Sequence, residues 1–205
     1  MACYYPVSLD VGGVACLVVG GGAVAARKAR GLVECGAAVT VVAPDVTADL
    51  RALTAVTIEQ REYVRGEAAG YRLVITATGR PAVDAAVHAD AASAGVWVNS
   101  ADDPAHCSFI LPSVHRDGTV SIAVSTGGAS PAVARWLRAR VADAAGAGVG
   151  DLAALVAESR RALRSAGRPT GDVDWTALLD GPLPALVRQG RLDEARALLS
   201  EATGV

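Results

Sequence analysis

The chain has 205 residues, 52% of them hydrophobic, and a formal net charge of −2. That length suits one domain of ordinary size plus a smaller appendage, and that hydrophobic share excludes a disordered chain. The near-neutral balance offers no electrostatic footprint for nucleic acid, and aromatics at 4% leave a core built from Val, Leu and Ala.

Met1-Ala2-Cys3-Tyr4-Tyr5-Pro6 carries no basic stretch ahead of an apolar run, so no secretory signal is expected. The uncharged run 11–26 is too short and too rich in glycine to span a bilayer, which makes the cytoplasm the expected compartment. Residues 15–19 then predict a strand. Residues 24–35 predict a helix, with Ala25, Ala29 and Leu32 on one face and Gly36 at its stop. The β-branched run 38–42 has the composition of a parallel strand buried on both faces. Residues 56–60 predict a weaker strand and 73–77 another buried one. Pro81 opens a helix to about residue 94, and 96–99 predict the next strand. This alternation implies a Rossmann-like, doubly wound parallel sheet over residues 1–112.

The pattern then changes. Segments 109–115 and 119–124 flank Arg116-Asp117-Gly118, a hairpin signal. Ser130 suits an N-cap and Pro131 the first position of a helix running to about residue 145. Gly146, Gly148 and Gly150 mark a joint. Beyond it four helices are expected, at 152–163, 175–179, 183–189 and 192–202.

The most informative stretch is Gly20-Gly21-Gly22-Ala23-Val24-Ala25, a G-x-G-x-x-A set between a strand and a helix. Gly20 permits the turn, Gly22 lets the backbone approach a pyrophosphate, and Ala25 lets the helix lie close on the strand. The helix N-terminus offers free N–H groups to phosphate. Such a turn can also be purely structural, but its context favours a nucleotide. The second strand ends at Ala43-Pro44-Asp45 with no cation before Arg51, which favours NAD over NADP. Asp45 reads equally as a ribose ligand or as a turn residue.

Asn99-Ser100-Ala101-Asp102-Asp103-Pro104 follows the fifth strand, where ligands of such sheets bind. Its paired carboxylates suit a general base, and they suit an Asp-Pro turn equally well. His106, Cys107 and His115 match no closed metal site, and His88 reads as a solvated helix residue. Cys16 and Cys35 read as inert packing thiols. Arg135 and Arg138 share a helix face and, with the N–H groups near Gly127 and Gly128, could receive a carboxylate-rich anion. A solvated face suits them too, Arg140 above all.

Together these stretches resemble the N-terminal module of siroheme synthases. The likeness rests on Pro6-Val7-Ser8-Leu9-Asp10, the triple-glycine turn through Ala29, Val39 to Pro44, Ala77-Thr78, Asn99 to Pro104, Ser108 to Pro112, Ser125-Thr126-Gly127-Gly128-Ala129-Ser130-Pro131 and Leu179-Asp180-Gly181-Pro182. It implies an NAD-binding domain (1–112), a dimerisation segment (113–147), a small helical domain (148–205) and a homodimer. It implies oxidation of precorrin-2 to sirohydrochlorin, for siroheme or cobalamin, with insertion of Fe2+ or Co2+ into the product in some members. Asp102 matches the family's catalytic aspartate. Gly20, Gly21, Gly22, Ala23, Val24, Ala43, Pro44, Asp45, Ala77 and Thr78 would hold NAD. Asn99, Ser125, Thr126, Gly127, Gly128, Ser130 and Arg135 would hold the tetrapyrrole, and no residue is assigned to metal. The expectation is a stand-alone module served by a separate methyltransferase. A non-catalytic NAD sensor and a chelatase without redox function are the alternatives.

Overall fold

Strand β1 (Ala15–Val19) sends Cys16 and Val18 into one apolar cluster and Leu17 and Val19 into another, all four buried. A strand with both faces covered must sit between two layers of helices. This is a computed structural model that describes residues 4–101 and 103–205. Cys3 and Asp102 lie outside the described residues. The chain divides into two units, Met1–Leu111 and Pro112–Val205.

In the first unit β1 is followed by α1 (Ala23–Glu34), β2 (Ala38–Val42), α2 (Ala48–Arg51), β3 (Val56–Glu59), β4 (Leu73–Thr76), α3 (Pro81–Ser93) and β5 (Trp97–Ser100). All five strands are parallel, in the order β3-β2-β1-β4-β5. Ala25, Ala26 and Ala29 of α1 cover the Cys16/Val18 face, and Val87 and Ala91 of α3 cover the other. Small residues on α1 allow close approach to the sheet. Strand order reverses between β1 and β4, which opens a crevice at the carboxyl edge. The four-residue α2 was not expected from the sequence. Cys35 was expected to be packed. It caps α1 at its C-terminal end and is exposed, because the buried stripe of that helix ends on Ala29.

The connection from β3 to β4 contains only a short 3-10 turn, Glu67–Gly70. It is tied to α3 through Asp90, which is 9% exposed. The Asp90 carboxylate accepts from the Gly66 N–H at 2.7 Å and the Tyr63 hydroxyl at 2.9 Å, and it pairs with Arg65 at 3.1 Å. The Gly66 N–H, helped by Tyr63 and Arg65, holds its pKa below the ordinary value. Asp90→Ala is therefore expected to cost about 1–2 kcal/mol in urea unfolding at neutral pH, since it removes hydrogen bonds to a charged acceptor whose donors, Tyr63 half-buried and Gly66 exposed, regain water only in part. A loss below about 0.5 kcal/mol, the scale of an indifferent surface change, would remove the network from the account. A depressed folded-state pKa gives stability that is complete above the unfolded value, about 3.9, and is lost as pH falls through the lower folded value.

The second unit starts with an antiparallel hairpin, β6 (Ser113–Asp117) and β7 (Val120–Val124). Asp117 pairs with Val120, so the turn is Gly118-Thr119, later than the expected Arg116-Asp117-Gly118. Gly118 has φ +54°, the sign a primed two-residue turn requires. Ser130 caps α4 (Pro131–Ala145), accepting from the Val133 N–H at 3.3 Å, as expected. Gly146 and Gly148 form the joint with φ of +79° and +82°. Gly150 instead lies inside α5 (Val149–Ser165), where an added Cβ would stand 2.4 Å from the Asp117 carbonyl oxygen. Helices α6 (Trp175–Asp180), α7 (Leu183–Arg188) and α8 (Leu192–Thr203) follow. Leu155, Leu183, Val187, Ala195 and Leu199 form the core of this bundle.

Candidate nucleotide site and the loop after β5

The glycine turn is threaded between β2 and β4. Gly20, at φ +125°, donates its N–H to the Val42 carbonyl at 2.9 Å, and a Cβ there would lie 2.3 Å from the Ala77 carbonyl oxygen. A Cβ on Gly21 would lie 1.8 Å from the Asp45 carbonyl oxygen. The Gly21 carbonyl in turn accepts from the Thr47 N–H at 2.9 Å. Gly22 differs: nothing stands within 4 Å of an added Cβ, so it faces open space. It is also the N-cap of α1, with no side chain on the free N–H groups. Two glycines are thus demanded by the protein's own backbone, and the third leaves room for a ligand.

A cleft of about 190 Å3 opens beside this turn. Its lining includes Gly20, Gly21, Gly22, Ala43, Pro44, Asp45 and Thr78 from the expected set, with Glu62, Tyr63, Arg80 and Val83 in addition. Ala23 and Val24 form the first turn of α1, and Ala77 approaches Gly20, but these three do not line the cleft. Asp84, on α3, organises the wall after β4. It accepts from the Thr76 hydroxyl, from the Thr78 hydroxyl at 2.8 Å and from the Thr78 N–H at 3.3 Å. Arg80 donates to Glu62 at 2.9 Å. No local pattern announced Asp84, Glu62 or Arg80, since each gains its place from where the β3–β4 connection and α3 meet. The uncapped α1 terminus, the open Gly22 and the cleft-lining carboxylates of Asp45 and Glu62 together fit a dinucleotide.

The loop after β5 is stapled by Cys107. Its sulfur accepts from the Ser100 N–H at 3.2 Å and donates to the Ser100 and Asp103 carbonyls at 3.3 Å. Burial pushes this thiol's pKa up, which disfavours a thiolate. Asn99 is buried, and its amide nitrogen donates to the Phe109 carbonyl at 3.0 Å. That amide is committed to holding the loop rather than presented to a ligand. Asp103 accepts from His106 at 2.6 Å, and this contact holds the Asp103 carboxyl below its usual range. His88 is not simply solvated: its ring meets that of His106 edge-on, with centroids 4.6 Å apart. Among the described residues no three His, Cys, Asp or Glu side chains converge as metal ligands. No helix of the described residues is long and apolar enough to cross a membrane.

In the second unit the loop before α4 is held by its own side chains. The Thr126 hydroxyl accepts from the Ser130 N–H at 3.0 Å, and Ser125 accepts from the Gly127 N–H at 3.1 Å. Gly127 and Gly128 take φ of +62° and +86°. Arg135 is exposed. Arg138 does not join it: its guanidinium turns to the Val114 carbonyl at 3.5 Å, with a buried Nε lacking a partner. Arg140 lies over the Trp136 ring at 5.4 Å.

Comparison with known proteins places this geometry in a lineage. Residues 7–113 match the family model described as "Putative NAD(P)-binding", and residues 117–144 match that described as "Sirohaem biosynthesis protein central". The chain is 39% identical over 204 residues to the siroheme synthase of Methylococcus capsulatus, covering 97% of this chain and 43% of that protein. It is 36% identical over 204 residues to that of Nitrosomonas eutropha, with the same coverage. The chain therefore spans less than half the length of these curated relatives. Among solved structures, "SirC, precorrin-2 dehydrogenase" shares the fold with a TM-score of 0.76 and 24% identity, over 97% of this chain and 100% of that one. The glycine turn, the loop after β5 and the Ser-Thr-Gly-Gly loop all fall within these matched segments, and the chain belongs to the siroheme synthase N-terminal module family.

Proposed function

We propose that this chain oxidises precorrin-2 to sirohydrochlorin with NAD as acceptor. The observation that carries the reading is the cleft beside the uncapped α1 terminus, in a chain that aligns over 97% of its length with a siroheme synthase. Gly20, Gly21 and Gly22 shape the turn, and the first N–H groups of α1 at Ala23 and Val24 receive the pyrophosphate. Ala43, Pro44, Asp45 and Thr78 flank the nucleosides, with Ala77 buttressing the turn. NAD bound there supplies a hydride acceptor.

Oxidation removes one hydride and one proton from the macrocycle. Asp102 comes two residues after β5 in the sequence, and its carboxylate takes the proton as general base. Ser125, Thr126, Gly127, Gly128 and Ser130 form the receiving loop for the substrate's carboxylates, joined by Arg135, while Asn99 acts by fixing the loop after β5. Fe2+ or Co2+, as a further substrate, would replace two pyrrole protons in sirohydrochlorin, one passing to Asp102 and the other to solvent. A methyltransferase acting upstream supplies precorrin-2.

The test is anaerobic incubation with enzymatically made precorrin-2 and NAD, following NADH and sirohydrochlorin by absorbance, then adding ferrous or cobaltous ion. Turnover supports the dehydrogenase, and a metal-dependent spectral shift supports insertion. NAD binding without turnover would favour the sensor, and insertion into supplied sirohydrochlorin without NAD would favour the chelatase.

The homodimer reading rests on α4. Val133, Trp136, Leu137 and Val141 are 38–60% exposed along one side of it, an apolar stripe of the kind that marks an interface. Ile122 and Val124 of β7, the strand that packs with α4, are half-buried and add less to this surface. A second copy of this chain is the proposed occupant. Light scattering is expected to give the mass of two 20.7 kDa chains, and Trp136→Glu the mass of one. A monomeric parent protein would end that proposal.

A further inference from the structure

We propose that Glu62 sets the preference for NAD over NADP by keeping Arg80 engaged and the wall of the cleft negative. The inference rests on the dinucleotide reading above. Among the described residues lining the cleft, the charged side chains are Asp45, Glu62 and Arg80, two carboxylates against one guanidinium. The guanidinium donates to Glu62 at 2.9 Å. Arg61, next in sequence to Glu62, is likewise occupied: it bonds Glu59, and Glu67 at 2.7 Å. A ribose 2′-hydroxyl needs an acceptor, which a carboxylate provides. A 2′-phosphate needs a guanidinium that is not already paired and suffers from each carboxylate nearby.

The pair also joins distant parts of the sheet. Glu62 follows β3 and Arg80 follows β4, with β2 and β1 between those strands in the sheet. The contact therefore spans the carboxyl ends of β2 and β1, where the glycine turn and Asp45 lie. Both side chains are well exposed, 59% for Arg80 and 65% for Glu62, so the pair contributes little to folding. Its effect falls on what enters the cleft. Removing the Glu62 charge releases Arg80 and turns the balance at this wall from net negative to neutral.

The experiment is equilibrium titration of the full chain with NAD and NADP, without substrate, for the parent, Glu62→Gln, Glu62→Gln/Arg80→Gln and, as a control for net charge, Glu201→Gln. The readout is the ratio of the two dissociation constants. Glu62→Gln is expected to shift that ratio about tenfold toward NADP, the scale of one charge acting on a doubly charged phosphate across water. The double variant is expected to lose the shift, and Glu201→Gln to leave the ratio unmoved. A ratio within about twofold of the parent in Glu62→Gln, or a shift that survives loss of Arg80, overturns the role of Glu62. Loss of all dinucleotide binding in Glu62→Gln overturns it too. A parent protein that binds neither dinucleotide overturns the dinucleotide reading itself.

Discussion

Gly21→Ala is expected to lose NAD binding and about 3 kcal/mol or more of stability, the scale of a forced overlap that the backbone must relieve. The added methyl would stand 1.8 Å from the Asp45 carbonyl oxygen and 3.0 Å from the Ala43 side chain. Neither neighbour is the far end of a flexible side chain, so the turn and the end of β2 must separate. That movement would also strain the hydrogen bond from Thr47 to the Gly21 carbonyl. Gly22→Ala supplies the contrast. Its methyl meets nothing within 4 Å, so the variant is expected to fold with the parent's stability, while the methyl projects toward the space assigned to phosphate. Urea unfolding and NAD titration on both variants separate the two glycines. A Gly21→Ala protein that unfolds with the parent would show that the turn relaxes freely and that its packing does not dictate the residue.

Asp102→Asn carries the other large expectation: NAD affinity retained, and turnover of precorrin-2 lowered by about 10²–10⁴-fold, the usual contribution of a positioned general base. The amide keeps the size of the carboxylate and cannot take the proton. Single-turnover absorbance with saturating NAD reads the chemical step alone. Unchanged turnover in this variant would remove Asp102 from the mechanism and turn attention to the hydrogen-bonded Asp103–His106 pair next to it.

Legibility in the sequence followed the range of the interactions. The uninterrupted apolar runs of β2 and β4 announce strands covered on both faces, and the structure has them in the interior of a parallel sheet. The Ser130-Pro131 start of α4 is likewise local chemistry, a cap three residues from its donor. Gly118-Thr119 was displaced from the expected turn because the register of β6 on β7, rather than turn chemistry alone, chooses which residues close a hairpin. Arg138 and Arg135 were paired by helical spacing, yet the hairpin offers a carbonyl to one of them only. Asp84, Glu62 and Arg80 stayed invisible for another reason. Arg80 meets Glu62 across 18 residues and Tyr63 meets Asp90 across 27. Those meetings depend on the path taken by an irregular connection, which no periodicity encodes.

That connection carries a further consequence. Tyr63 lines the nucleotide cleft and also hydrogen-bonds Asp90 of α3, the helix on the same side of the sheet. One side of the cleft is therefore anchored to α3 through a titrating group rather than through apolar packing alone. Acid that protonates Asp90 weakens the anchor of Tyr63 and Gly66 together, while the apolar contacts of β1, β2 and β4 carry no charge to lose. The side of the cleft that carries Tyr63 is therefore expected to loosen at a pH at which the apolar sheet still holds, and a ligand that needs Tyr63 in place is expected to oppose protonation of Asp90.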